Sequence, residues 1–133
     1  MDRTIKIVAA VLAVVVVASI AVLLSGVPVS QKDSGTIDSG SIYFFYGEEC
    51  IHCHTIMPFV INMTKKYPDA NIQILEVWHN QTNQQVYQQA NADAGISWYG
   101  VPEVVYGTVV LVGEKEIPAK FEELIQNSLK KKA

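Results

Sequence analysis

Cysteine is scarce in this chain of 133 residues, and its scarcity excludes some chemistry before any motif is considered. The two cysteines stand at positions 50 and 53, so a second Cys-x-x-Cys pair, which a four-cysteine structural zinc site requires, is missing. The sequence also lacks a basic patch, and its formal net charge is −3. These absences argue against a structural zinc domain and against nucleic acid as a partner.

A long apolar run occurs once, near the N-terminus. Residues 7–24 contain only Ile, Val, Ala and Leu apart from a single Ser. A helix of that length spans roughly 27 Å, close to the hydrocarbon core of a bilayer. Because Arg3 and Lys6 precede the run, residues 1–6 are expected in the cytoplasm and the rest of the chain across the membrane.

We predict that residues 7–24 form an uncleaved signal-anchor helix. The alternative is a cleaved signal peptide, but the run exceeds the usual length of a signal-peptide core, and residues 24–27 are a poor cleavage site. Residues 25–40 are rich in Ser, Gly and Asp, which predicts a flexible linker. Residues 41–133 are sufficient for one small domain.

The apolar pattern of that domain predicts an α/β fold with the element order βαβαββα. Strands are expected at residues 42–46, 72–77, 101–106 and 108–112. Helices are expected from residue 53 to about 67, at 82–94, and from 118 onward. Pro58 should kink the first helix, residues 113–115 should form a turn, and Pro118 should lie in the first turn of the last helix.

The two cysteines lie where the first predicted strand gives way to the first predicted helix. Cys50-Ile51-His52-Cys53 at such a junction has the sequence form of a redox dithiol. At a helix N-terminus, unpaired N–H groups and the helix dipole favour the thiolate of Cys50. A protonated His52 would strengthen that effect, whereas Glu48 and Glu49 should partly oppose it.

The element order, the Cys-x-x-Cys motif, Pro58 five residues after it and Val101-Pro102 ahead of the third strand together resemble the thioredoxin superfamily. The resemblance covers about residues 41–130, in the minimal form that lacks an N-terminal strand and helix. It implies that Cys50 is the exposed attacking thiolate and that Cys53 is the buried resolving thiol. It also implies that Pro102 is a cis-proline facing the dithiol, and that a client segment binds along Ile51, Val101 and Pro102.

The chain departs from the family pattern around the dithiol. Phe44 stands where thioredoxins carry a buried Asp that assists proton transfer to the resolving cysteine, and Glu103 is an unusual residue to follow the cis-proline. The route of the proton is therefore open, and four side chains are candidates for carrying it: Glu48, Glu49, His52 and His54. A His at the position of His52 is also found in protein disulfide isomerases and periplasmic thiol oxidases.

Two rival interpretations use the same residues. Cys50 to His54 fits Cys-x-x-Cys-His, the attachment motif of c-type haem, with His54 as an axial ligand and Met57 or Met63 as its partner. A metal-binding or metal-delivery domain would use the two cysteines with His52 or His54, since soft thiolates suit Cu(I) or zinc.

The sequence thus predicts a membrane-anchored, extracytoplasmic thiol–disulfide oxidoreductase that needs no cofactor beyond the Cys50–Cys53 disulfide. Because these are the only cysteines, electrons must come from or go to another protein or a small thiol. The expected partners are client proteins and a separate redox partner protein. Oxidation or isomerisation of clients is slightly preferred over their reduction, because the compartment is oxidising.

Overall fold

The computed structural model describes residues 37–98 and 100–133. Residues 1–6, the predicted membrane segment 7–24 and most of the predicted linker lie outside that part of the chain. Among the described residues, no helix has both the length and the apolar character needed to cross a bilayer.

The described chain folds into four strands and three α-helices in the predicted order βαβαββα. In chain order they are β1 (Ile42–Tyr46), α1 (Ile51–Lys66), β2 (Ile72–Glu76), α2 (Gln81–Asp93), β3 (Glu103–Tyr106), β4 (Val109–Val112) and α3 (Gly113–Lys132), with a 3-10 turn at Pro68–Ala70. This mixed α/β architecture fits a thioredoxin-like fold.

The four strands form one sheet in the order β2-β1-β3-β4. β1 is parallel to β2 and antiparallel to β3, and β3 is antiparallel to β4. At the centre of the sheet, Phe44 stands opposite Ile74 on one side and Val104 on the other. The carboxyl ends of β1 and β2 therefore share an edge, and α1 and α2 start there.

Both faces of the sheet are covered, which explains why β1 is almost continuously apolar. Phe44 packs with Val60 of α1 and Phe121 of α3 on one face. Phe45 packs with Tyr87 of α2 on the other. Because successive strand residues point to opposite faces, β1 contributes to two separate cores.

The last helix begins earlier than predicted. Residues 113–115 are its first residues rather than a turn, and Pro118 lies inside it rather than in its first turn. Ile117, four residues before Phe121, extends the same buried face of the helix toward its N-terminus. The Val112 N–H donates to the Glu116 carboxylate at 3.1 Å. A side chain of the first turn therefore accepts the hydrogen bond of the N-cap N–H.

Other element boundaries differ from the predicted ones by one or two residues. β3 begins at Glu103 rather than Val101, because Pro102 has no N–H to donate to a strand ladder. α1 begins at Ile51 rather than Cys53, with Cys50 as its N-cap. Pro58 lies inside α1, as predicted.

Candidate active site

The two cysteines form a disulfide at the N-terminus of α1. Cys50 takes the N-cap position with extended backbone angles, φ −79° and ψ 106°. Its N–H donates to the Gly47 carbonyl at 3.1 Å, which closes the turn that follows β1. The Cys53 N–H donates to Cys50 Sγ at 3.1 Å. The start of α1 therefore points a backbone donor at the first sulfur.

The two sulfur-bearing residues differ less in exposure than the sequence predicted. Cys53 has no exposed surface, as expected of a resolving thiol, but Cys50 is only 6% exposed. The Val101 carbonyl oxygen lies 3.8 Å from Cys50 Sγ, on a loop that partly covers it. Cys50 nevertheless keeps the only solvent access of the pair.

The covering loop is the one that leads into β3. The Val101–Pro102 peptide bond is cis, as the resemblance implies. Hydrogen bonds to described residues hold the loop: Tyr87 Oη of α2 donates to the Gly100 carbonyl at 3.2 Å, and the Gly113 N–H donates to the Pro102 carbonyl at 2.9 Å. The loop thus connects α2 with the start of α3 across the top of the disulfide.

A groove of about 420 Å³ opens between this loop and the start of α3. Its walls are formed by His52, Val101, Pro102, Val112 and residues 113–116. His52 Nδ1 lies 2.9 Å from Glu114 Oε2, so the imidazole of the motif is anchored to the far wall. The groove brings together His52, Val101 and Pro102, three of the predicted site residues.

The predicted proton carriers have other partners. The His79 imidazole, with Nε2 2.7 Å from Glu49 Oε1, holds the pKa of Glu49 below its ordinary value, and the pKa of His79 is raised in return. His54 Nε2 contacts the Glu48 carbonyl oxygen. In the part of the chain that the structure describes, none of Glu48, Glu49, His52 and His54 is hydrogen bonded to either sulfur.

Glu103 does not line the groove, although it follows Pro102 directly. Its side chain has no exposed surface and lies against α2, where Asn91 Nδ2 donates to Glu103 Oε1 at 2.7 Å. Burial raises the pKa of Glu103 to about 7, against the opposing effect of the Asn91 hydrogen bond. The signal for a buried acid was present in the sequence: a lone carboxylate at the head of an apolar strand.

Exposed apolar side chains lie at the start of α1 and in the loops that precede α2 and β3. Ile51 is 74% exposed, and Trp78 and Trp98 are each about half exposed. The Trp78 ring packs on Gly47 in the turn before Cys50. The Glu76 carboxylate accepts the N–H groups of residues 78–80 at 2.7 to 3.0 Å, which fixes the loop carrying Trp78. No sequence pattern singles out either tryptophan as exposed.

Within residues 37–98 and 100–133, no three His, Cys, Asp or Glu side chains are grouped as ligands for a metal ion. The two histidines of the motif bind other groups: His52 contacts Glu114 of α3, and His54 contacts the Glu48 carbonyl oxygen.

Known proteins resemble this chain in structure rather than in sequence. No protein-family model matches the chain, and no curated protein sequence matches it. Among solved structures, the chain is similar to thioredoxin O2 from Arabidopsis thaliana in the oxidized state. The two share 21% sequence identity and a TM-score of 0.42, over 61% of this chain and 69% of that chain.

Proposed function

We propose that this protein is a thiol–disulfide oxidoreductase that exchanges disulfides with client proteins through Cys50 and Cys53. One observation carries the proposal: a disulfide at a helix N-terminus in which one sulfur keeps solvent access and the other is sealed. A purely structural bridge is a poor explanation, because closing a loop of this length removes little chain entropy.

In the oxidising direction, a client thiolate attacks Cys50 Sγ, the Cys50–Cys53 bond breaks, and Cys53 leaves as a thiolate. A second client thiolate then attacks the client sulfur of the mixed disulfide, and Cys50 leaves. The client gains a disulfide and loses two protons, while the protein becomes the dithiol. In the reducing direction, Cys50 attacks a client disulfide and Cys53 resolves the mixed disulfide.

Two features support oxidation or isomerisation over reduction. The Cys53 N–H aimed at Cys50 Sγ stabilises a thiolate there, and a stabilised thiolate favours the reduced protein, which makes the disulfide a stronger oxidant. The predicted extracytoplasmic compartment is oxidising. A separate protein would then reoxidise the pair, since the chain has no other cysteine.

We further propose that residues 7–24 anchor the chain in the cell membrane, with residues 41–133 on the extracytoplasmic side. The uninterrupted apolar run and the basic residues before it support this topology. Client polypeptides would contact the groove along Val101 and Pro102 and the exposed apolar residues Ile51, Trp78 and Trp98.

The haem and metal alternatives fit the geometry less well. A haem joined to both cysteines would have to lie against both sulfurs, and Cys53 has no exposed surface. A haem or a metal ion bound to both sulfurs would therefore require the start of α1 to open and expose Cys53.

The proposal is tested by trapping. In Cys53→Ser the mixed disulfide with a client has no resolving thiol, so we expect disulfide-linked adducts on non-reducing gels. Cys50→Ser is the matched control and should form none, because Cys53 is sealed. Exchange through Cys50 is ruled out if neither variant, or only Cys50→Ser, captures clients.

The reduction potential of the Cys50/Cys53 pair tests whether the protein oxidises or reduces its clients. It is measured on the full-length protein in detergent, equilibrated in thiol buffers. A value of about −120 to −180 mV is expected for an oxidase or isomerase. A value of about −270 mV or below would instead indicate a reductase.

A further inference from the structure

Glu103 and Asn91 form a buried polar pair directly behind the loop that covers the disulfide. Neither side chain has exposed surface. Asn91 Nδ2 donates both to Glu103 Oε1, at 2.7 Å, and to the Tyr87 carbonyl, at 3.0 Å. Both amide hydrogens of Asn91 are therefore used, and the pair joins α2 to the first residue of β3.

Two acceptor atoms of this pair have no hydrogen-bond partner among the described residues: Asn91 Oδ1 and Glu103 Oε2. If Glu103 were ionised, its charge would be buried with one hydrogen bond and with an unpaired acceptor on each side chain, an arrangement that is strongly unfavourable. A single proton on Glu103 Oε2 removes the charge and supplies the donor that the other unpaired oxygen lacks.

Within residues 37–98 and 100–133, no neighbouring charge replaces that proton. Glu103 is packed among β1, β4 and α2, and β4 carries no titratable residue. The titratable side chains of the other two elements are Tyr43 and Tyr46 on β1 and Tyr87 and Asp93 on α2. The pKa of Glu103 responds to burial, which raises it, and to Asn91, which lowers it, with no contribution from a charged group.

Glu103 is covalently next to Pro102 and one residue from Val101, whose carbonyl lies 3.8 Å from Cys50 Sγ. We propose that Glu103 is a positioning residue of this loop: its protonated carboxyl pairs with Asn91 and fixes the loop in the conformation that receives a client segment. Loss of the proton to solvent leaves a buried carboxylate, and the loop then shifts to hydrate it. This role rests on the proposed disulfide exchange and adds a requirement for a neutral Glu103.

The consequence is a pH dependence that opposes ordinary thiol chemistry. Thiolate formation on a client makes exchange faster as pH rises. Ionisation of Glu103 makes the loop less competent over the same range, and reactivity toward a client falls with the fraction of protein that keeps the proton. The opposing effect should appear only with thiols large enough to contact the loop.

Glu103→Gln separates these effects, because an amide has the shape and the hydrogen-bonding pattern of the protonated acid but does not titrate. The measurement is the second-order rate constant for reaction of the oxidised full-length protein, in detergent, with a synthetic single-cysteine peptide. Client ionisation cancels in the ratio of wild-type to Glu103→Gln rate constants. We expect a ratio near one at about pH 5.5 that falls about tenfold by about pH 8, as Glu103 loses its proton.

Two controls accompany the peptide. Glu123→Gln makes the same chemical change on an exposed face of α3 and should follow wild type at every pH. With 2-mercaptoethanol, which is too small to lie along the loop, the ratio of wild-type to Glu103→Gln rate constants should not change with pH. A merely structural role for Glu103 would not give a ratio that depends on both pH and thiol size.

The outcomes are distinguishable. If wild type reacts with both thiols but the peptide ratio does not change with pH, the positioning role is wrong and the exchange function stands. If wild type reacts with neither thiol at any pH, the exchange function is wrong and the positioning role falls with it.

A measurement on wild type alone covers the case in which Glu103→Gln does not fold. Infrared difference spectra between about pH 6 and 9 should show the carbonyl stretch of one protonated carboxyl group at the lower pH, where ordinary carboxyl groups are ionised. Absence of that band would also overturn the proposal.

Discussion

At the scale of single residues, the informative feature is a carboxyl group whose pKa is displaced by burial. Glu103 has an ordinary pKa of 4.5 in an unfolded chain and about 7 in the folded protein. Between these values the folded state holds a proton that the unfolded state has lost. The proton therefore stabilises the fold at low pH, and the stabilisation is lost as pH rises through the folded pKa.

This predicts the shape of the stability curve. Glu103 should lower the free energy of unfolding by about 3 kcal/mol as pH rises from about 4.5 to just above 7, with little further change beyond. The measurement is urea unfolding of the full-length protein in detergent across this range, with Glu103→Gln as the reference, since other groups titrate in both proteins. Parallel curves for the two proteins would show that Glu103 ionises in the fold as it does in the unfolded chain.

The sequence does not predict which residues far apart in the chain form pairs. Glu49 was expected to act on Cys50, but it pairs with His79, thirty residues later. His52 was expected to act on Cys50 as well, and it is anchored by Glu114, sixty-two residues later. Neither pair follows from local spacing, because each depends on which helix starts meet at one edge of the sheet.

At the scale of elements, the turn between β1 and α1 depends on a close contact. Gly47 is buried under the Trp78 ring, and a Cβ added there would lie 2.2 to 2.6 Å from three ring atoms. Gly47→Ala must therefore displace the indole or the turn that positions Cys50. Overpacking of this kind typically costs about 1–3 kcal/mol.

We expect Gly47→Ala to lower the free energy of unfolding by roughly that amount and to shift the tryptophan fluorescence toward that of a hydrated indole. Gly40→Ala is the matched control: its added Cβ would meet neighbours at 3.4 Å or more, an ordinary contact distance. Equal stability of the two variants would mean that Trp78 moves aside without cost.

The elements were predicted well where the apolar pattern was long, and less well where a side chain decided the boundary. The strand at 42–46 followed from its continuous run of aromatic and β-branched residues, and the helix face of Ile56, Val60 and Met63 followed from periodicity. The start of α3 did not, because Glu116 bonds back to the Val112 N–H and Pro118 misleadingly resembles a helix start. The orientation of Glu103 away from the groove required knowledge of the register between β1 and β3.

At the scale of the whole molecule, the direction of β1 places the residues before it and the disulfide at opposite edges of the sheet. β1 begins at Ile42 and runs toward the edge where the disulfide lies. The described residues directly before β1, 37–41, therefore lie at the opposite edge of the sheet. The lysines at 130–132 end α3 at this edge, where a Cβ on Gly40 would lie 3.7 Å from the Lys132 side chain.

The proposed topology predicts the behaviour of the full chain in cells. Alkaline carbonate should leave the protein in the membrane fraction if residues 7–24 anchor it, and a chain lacking residues 1–24 should become extractable. After reduction, Cys50 should react with a membrane-impermeant maleimide added to the extracytoplasmic side of intact cells. Labelling only after the cells are broken would place the domain in the cytoplasm and reverse the proposed orientation.

The burial of Cys53 also determines which cysteine peroxide oxidises. Peroxide attacks accessible thiolates and can carry them past the reversible sulfenic state to sulfinic and sulfonic acids. Of the two cysteines of the disulfide, Cys50 alone has access to solvent, so irreversible damage should concentrate on it after reduction. Cys53 can condense with a Cys50 sulfenic acid, release water and restore the disulfide, so the buried sulfur also serves as a built-in repair group for its neighbour.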